Sequence, residues 1–317
     1  MTLVLLTALS LTAAACGDGS ANDERLRIVA TTSILGDIVS EIVGDDATVE
    51  VVIGPGIDPH DFQASARQVE SIARADLVIA IGLGLEESLI DVIEIQAAAS
   101  LFLGPELDPL PFLGPDGDAH EDEAHGDEAH EDEAHGDEEH ADALDPHVWL
   151  DPVRMAETVP LIVERLQRLD PSLDLAARAD AYVDRLESLD DEIARTLAAI
   201  PVERRKLVTS HDALGYFAAR YDLEVVGVIV AGGSTLAEPS AADLAALTDA
   251  IERSGAPAIF TDAYNPTTLA EAVASEVDVE VAVVPLITGS LTDEASTYVE
   301  MMKINAERIA DALGGGE

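Results

Sequence analysis

Apolar and polar residues recur along this chain in two periods. The stretch RLRIVAT (25–31) is dense in β-branched and apolar side chains, and TVEVVI (48–53) and DLVIAIG (76–82) repeat that character. Short apolar runs of this kind predict buried strands. Between them the period lengthens: Ile34, Ile38 and Ile42 fall at i, i+4 and i+8, and Ser65 opens a second helix with Val69 and Ile72 on one face. Strands alternating with helices predict a largely parallel α/β lobe.

The same rhythm returns after residue 201. KLVTS (206–210), EVVGVIV (224–230), PAIFTD (257–262) and VEVAVV (279–284) read as strands, and Ser240 with Asp243 makes a capping-box pair ahead of Leu244 and Leu247. The stretch 172–200 differs, because Ala179, Tyr182, Val183, Leu186, Leu189, Ile193 and Leu197 keep helical spacing with no Gly or Pro before Pro201. That predicts a rod of roughly 40 Å. A stiff helix between lobes argues against large hinge closure; the plainer alternative is a surface helix of one lobe. The expected organisation is a leader over 1–16, a tether over 17–25, an α/β lobe over 26–150, a linking helical segment over 151–200 and a second α/β lobe over 201–317.

Composition supports globular lobes: 48% of the 317 residues are hydrophobic, ample core for two or three domains. Charge narrows the partners. Seventeen Lys and Arg against sixty-three Asp and Glu give a formal charge of −46, which repels a phosphate backbone and excludes nucleic acid as a natural partner. Between Asp116 and Asp145 there are fifteen acidic residues and no Lys or Arg, so cations are the expected guests there.

The first fifteen residues, MTLVLLTALSLTAAA, are apolar, too short to span a bilayer as a mature helix, and end in small residues, as an export signal does. Cys16 is the sole cysteine, so no intramolecular disulfide can form. AAACGDGS resembles the lipobox of bacterial lipoproteins, which implies a lipid on Cys16 and attachment to a membrane. The alternative is a cleaved Ala-x-Ala signal with an incidental thiol. Ala13 stands where the lipobox usually has Leu, and no basic residue precedes the apolar run.

Of the eight histidines, three sit at strand-to-loop junctions: His60 after Gly-Pro-Gly-Ile-Asp-Pro, His147 in DPHVWLDP, and His211 at the end of KLVTS. Open α/β sheets build their ligand sites at such junctions, and three neutral imidazoles suit zinc. A single loop histidine, taken alone, is more often a solvated or capping residue than a ligand. Asp145 and Asp151 flank His147; either can accept the second imidazole N–H, and Asp151 can instead cap a helix starting at Pro152. Trp149 reads as core packing.

Several long motifs occur in order: GPGIDPHDFQAS (54–65), AIGLGLEESL (80–89), DPHVWLDP (145–152), TSHDALGYFAARYDL (209–223), AEPSAADLAALTDAIE (237–252) and PLITGSLTDEASTYVEMMKINAERI (285–309). From about residue 26 to the C-terminus the chain resembles the zinc- and manganese-binding solute-binding proteins of bacterial metal ABC transporters. The resemblance implies two α/β lobes bridged by one long rigid helix, with His60, His147 and His211 as metal ligands. It implies capture of Zn(II) outside the cytoplasm, in the periplasm or at the cell membrane, by a monomer that delivers it to a membrane permease with its ATPase. Many relatives place an Asp where this chain has Gly289, and some carry a Glu where it has Pro59. The fourth ligand is therefore open among water, Asp293 and Glu294.

Three imidazoles without a carboxylate favour zinc over manganese. The rival readings are a manganese transport protein, a surface adhesin or metal buffer of the same fold, and, more remotely, a zinc hydrolase. For the last no HExxH is present, and only Asp61 and Asp212 adjoin a ligand histidine as candidate bases.

The remaining histidines, His120, His125, His130, His135 and His140, recur every fifth residue among Asp and Glu. On a helix such a spacing would turn successive rings about 140° apart, so no face is shared. A flexible accessory loop over 116–145 is expected, holding zinc weakly and passing it inward. A solvated acidic insertion with no metal role is the alternative.

Overall fold

Each α/β rhythm folds into its own four-stranded parallel sheet. The computed structural model describes residues 25–113, 144–232 and 239–314. The first lobe contains β1 (Leu26–Thr32), α1 (Ser33–Val43), β2 (Ala47–Ile53), α2 (Ala66–Arg74), β3 (Leu77–Ala80), α3 (Glu87–Gln96) and β4 (Ser100–Phe102), with sheet order β2-β1-β3-β4. Two helices follow, α4 (Pro152–Leu169) and α5 (Ala176–Leu197). The second lobe contains β5 (Lys206–His211), α6 (Gly215–Tyr221), β6 (Glu224–Val230), α7 (Ala241–Ser254), β7 (Ala258–Asp262), α8 (Thr268–Glu276), β8 (Ala282–Leu286) and α9 (Tyr298–Gly314), in the same order, β6-β5-β7-β8.

Local chemistry sets these boundaries. Thr32 caps α1 by accepting the Leu35 backbone N–H, and Ile34, Leu35, Ile38, Val39 and Ile42 then fall on the buried face. Gly36 lets α1 lie directly on β2, because a Cβ there would stand 2.3 Å from Val51 Cγ2. The expected capping pair forms at Ser240 with Asp243, and a second one forms at Ser65, whose N–H and hydroxyl both donate to Gln68 Oε1. The three-residue β4 has no expected counterpart, being too short to register as a pattern.

The rod expected over 172–200 begins later, at Ala176. Asp170 Oδ1 accepts the backbone N–H and hydroxyl of Ser172, and this turn separates α4 from α5. With 22 residues, α5 is about 33 Å long. It starts against the first lobe, where Arg178 meets Asp46 and the Ile42 carbonyl, and ends beside the second, where Asp190 holds Arg220. A single apolar cluster runs from Ile28 and Ile38 through Met155, Leu186 and Ile309 to Leu207 and Phe260, so the lobes share one interior.

Candidate metal centre

In both sheets the strand order reverses between the first and third strands of the lobe, which opens a crevice at their carboxyl ends. The first lobe fills its own crevice: buried Glu86 accepts from Thr31 Oγ1 and from the backbone N–H groups of Ile81 and Gly82. In the second lobe His211 ends β5 and Asp262 ends the neighbouring β7.

Two further histidines come to His211. His60 rides the loop after β2, where Asp58 Oδ1 accepts its backbone N–H at 3.0 Å. That loop is tied to the opposite lobe, since Gly56 N–H donates to the Leu291 carbonyl at 2.8 Å and to Ser290 Oγ at 2.9 Å. His147 precedes the short turn Val148–Leu150 and is 1% exposed. His147 Nε2 lies 3.2 Å from His60 Nε2 and 3.4 Å from His211 Nε2, and one ring nitrogen of each residue lies within 4.8 Å of the other two. A tetrahedral ion with nitrogen ligands at about 2.0–2.1 Å holds those nitrogens about 3.3 Å apart.

The other face of each buried ring is anchored. Asp145 Oδ1 accepts His147 Nδ1–H at 2.7 Å, and Asp262 Oδ2 lies 2.7 Å from His211 Nδ1. With their protons on Nδ1, neutral His147 and His211 turn Nε2 lone pairs toward one point. Facing lone pairs need a proton or a cation between them.

Burial, and then the neighbouring His147 and His211, push His60 down to about 3; burial and His211 push His147 well below its ordinary value. For His211, burial also disfavours the charge, but the Asp262 carboxylate outweighs it and raises the pKa. Asp262 is held down to about 2: burial works against its charge and His211 overcomes it. Of the three rings, His211 is thus the one whose surroundings favour a proton, while burial disfavours the charged form of His60 and His147.

The structure decides between the alternatives that the sequence left open. Asp145 is the carboxylate that orients His147, whereas Asp151 caps α4 by accepting the backbone N–H of Val153 and Arg154. Trp149 is 2% exposed and donates its indole N–H to the Thr288 carbonyl, holding the two lobes together beside the site. Neither Asp293 nor Glu294 joins the cluster. Both are exposed, and Glu294 is turned onto Arg308 of α9 at 2.5 Å, because the loop's buried side chains Leu291 and Ala295 point the intervening residues outward. Asp262 has no counterpart among the sequence candidates, although it ends a strand as His211 does. His120, His125, His130, His135, His140 and Cys16 lie outside the described residues. At the border of that segment, Pro111 and Leu144 pair antiparallel, three residues before His147.

Residues 28–312 match the family model described as zinc-uptake complex component A, periplasmic. The chain belongs to this family. Among its relatives, the high-affinity zinc uptake system protein ZnuA of Paracoccus denitrificans is 36% identical, covering 95% of this chain and 97% of the relative. The zinc-binding protein TroA of Treponema pallidum is 31% identical over 93% of this chain and 91% of its own length. The manganese-binding lipoprotein MntA of Halalkalibacterium halodurans is 27% identical over 98% and 97%. The solved structure of the periplasmic zinc-binding protein TroA from Treponema pallidum superposes with a TM-score of 0.77 at 29% identity, covering 92% of this chain and 100% of that one. The family fold, two parallel sheets flanked by helices in two lobes, is that of this chain.

Proposed function

We propose that this protein captures Zn(II) outside the cytoplasm through His60, His147 and His211 and delivers it to the permease and ATPase of an ABC importer. The observation that carries the reading is the pair of Nε2 separations, 3.2 and 3.4 Å, with one ring nitrogen of each of the three histidines drawn together. Imidazole donors suit zinc, and affinity ranks it above manganese. It is a binding protein and not an enzyme, in keeping with its family.

The names of the relatives support the cargo and the location: zinc uptake in one, zinc binding in another and, in a manganese-binding relative, a lipoprotein anchor. Among the described residues no helix is long and apolar enough to cross a membrane. A lipid on Cys16 would hold a monomer at the membrane beside its permease. The domain divisions at 26–150, 151–200 and 201–317 belong to the same reading, as does the role of the histidines from 120 to 140 as a weak collector.

Titration calorimetry of the metal-free protein tests the assignment. One tight Zn(II) per chain is expected, with Mn(II) weaker, and His147→Ala should abolish the tight phase. A tighter Mn(II) complex, or tight zinc surviving without His147, overturns it.

A further inference from the structure

Gly289 is a glycine that its backbone does not demand. It is absent from the residues with left-handed φ, so an L side chain is compatible with its conformation. The obstacle is spatial. A Cβ at 289 would lie 2.5 Å from Tyr264 Oη and 3.3 Å from Pro59 Cδ, with Tyr264 Cζ next at 3.5 Å. The hydroxyl alone makes a contact under 3.0 Å; the next neighbour, tight but tolerable, is Pro59, the residue before His60.

That hydroxyl is held in place. Gly289 N–H donates to Tyr264 Oη at 3.0 Å. Thr288 Oγ1 spends its hydrogen on Asp262 Oδ1, so at 3.2 Å it accepts from Tyr264. Asp262 in turn holds His211 Nδ1. A chain of hydrogen bonds therefore runs from the glycine to a ring of the cage.

We propose that Tyr264 sets the donor set of the cage: its hydroxyl fills the corner through which a side chain at 289 would reach the metal, leaving three imidazoles and no protein carboxylate. This rests on the assignment of His60, His147 and His211 as zinc ligands. The chemical consequence is selectivity, because a carboxylate admitted at that corner adds a hard oxygen donor of the kind that suits manganese.

The test is a cycle of Tyr264→Phe, Gly289→Asp and the double variant, with Zn(II) and Mn(II) affinities measured by chelator competition. Tyr264→Phe removes the atom at 2.5 Å and leaves the ring. The double variant should then raise the Mn(II)-to-Zn(II) affinity ratio about tenfold over Gly289→Asp alone, a coupling of the size seen between contacting residues. An equal ratio in both backgrounds overturns the proposal.

A second cycle needs no metal. Gly289→Ala should lower the melting temperature of the metal-free protein when Tyr264 is present and leave it nearly unchanged beside Tyr264→Phe. Equal drops also overturn the proposal. Failure of the unsubstituted protein to bind zinc would instead strike the ligand assignment and leave this second cycle to decide the role of Tyr264.

Discussion

Asp145 and His147 meet twice: Asp145 Oδ1 accepts the backbone N–H of His147 at 2.9 Å and its ring Nδ1–H at 2.7 Å. The aspartate thereby fixes both where the histidine leaves the chain and which nitrogen faces the cage. Partners of this kind affect metal affinity about 10- to 100-fold. Asp145→Asn should weaken zinc by that factor without loss of stoichiometry. Trp149, the sole tryptophan, has its ring centroid 5.2 Å from that of His147, so its fluorescence can follow the titration. Unchanged affinity would remove Asp145 from the site.

Zinc entry should release close to one proton. His211 is raised above the ordinary histidine value, so it holds a proton at mildly acidic pH, while His60, near 3, holds none. Affinity should therefore fall as pH drops below the raised His211 value, by about tenfold per unit for one displaced proton. Calorimetry at pH 6 in buffers of different ionisation enthalpy counts that proton. A count of two or more contradicts the assignment of neutral His60 and His147.

Asp212 gives the metal-free protein an opposite slope. Burial, and then the Asp145 charge, push its carboxyl up to about 8. An unfolded aspartate releases its proton near 4, so between about pH 4 and 8 the folded state binds more protons than the unfolded one. Stability from this group is complete below that window and is lost as pH rises through it, at most about 1.4 kcal/mol per unit. Asp212→Asn should flatten thermal stability between pH 5 and 8, which melting curves of the two proteins will show.

Deleting residues 118–142 should leave one tight zinc per chain and remove weaker binding, because His60, His147 and His211 all lie outside that segment. Equilibrium dialysis over a range of free zinc separates the two classes. Loss of the tight site would reverse the proposed hierarchy.

Features carried by a repeating pattern were the ones visible in the sequence. Ile34, Ile38 and Ile42 declare α1 because successive turns of helix bury the same face, and His60 and His211 stand out because each sits where a strand or its loop ends; His147, expected at such a junction too, instead leads into the turn Val148–Leu150 with no strand before it among the described residues after β4. Asp262 meets that same criterion, but a carboxylate at a strand end is common enough to pass unnoticed until His211 is found 2.7 Å away. The division of labour between Asp145 and Asp151 depends on which way two side chains turn, information that spacing does not hold. The pairing of Tyr264 with Gly289 is more hidden still: it is a through-space exclusion across 25 residues, with no periodicity to betray it.

The apolar cluster common to both halves bears on how such a carrier surrenders its load. Prising the halves apart like a clamshell would tear open hydrocarbon contacts from Ile28 to Phe260, a far larger disruption than freeing one cation requires. Emptying the cage by shifting the His60 loop, whose ties to Leu291 and Ser290 are three hydrogen bonds, is much the cheaper motion. A docking partner would need only to tug that rim.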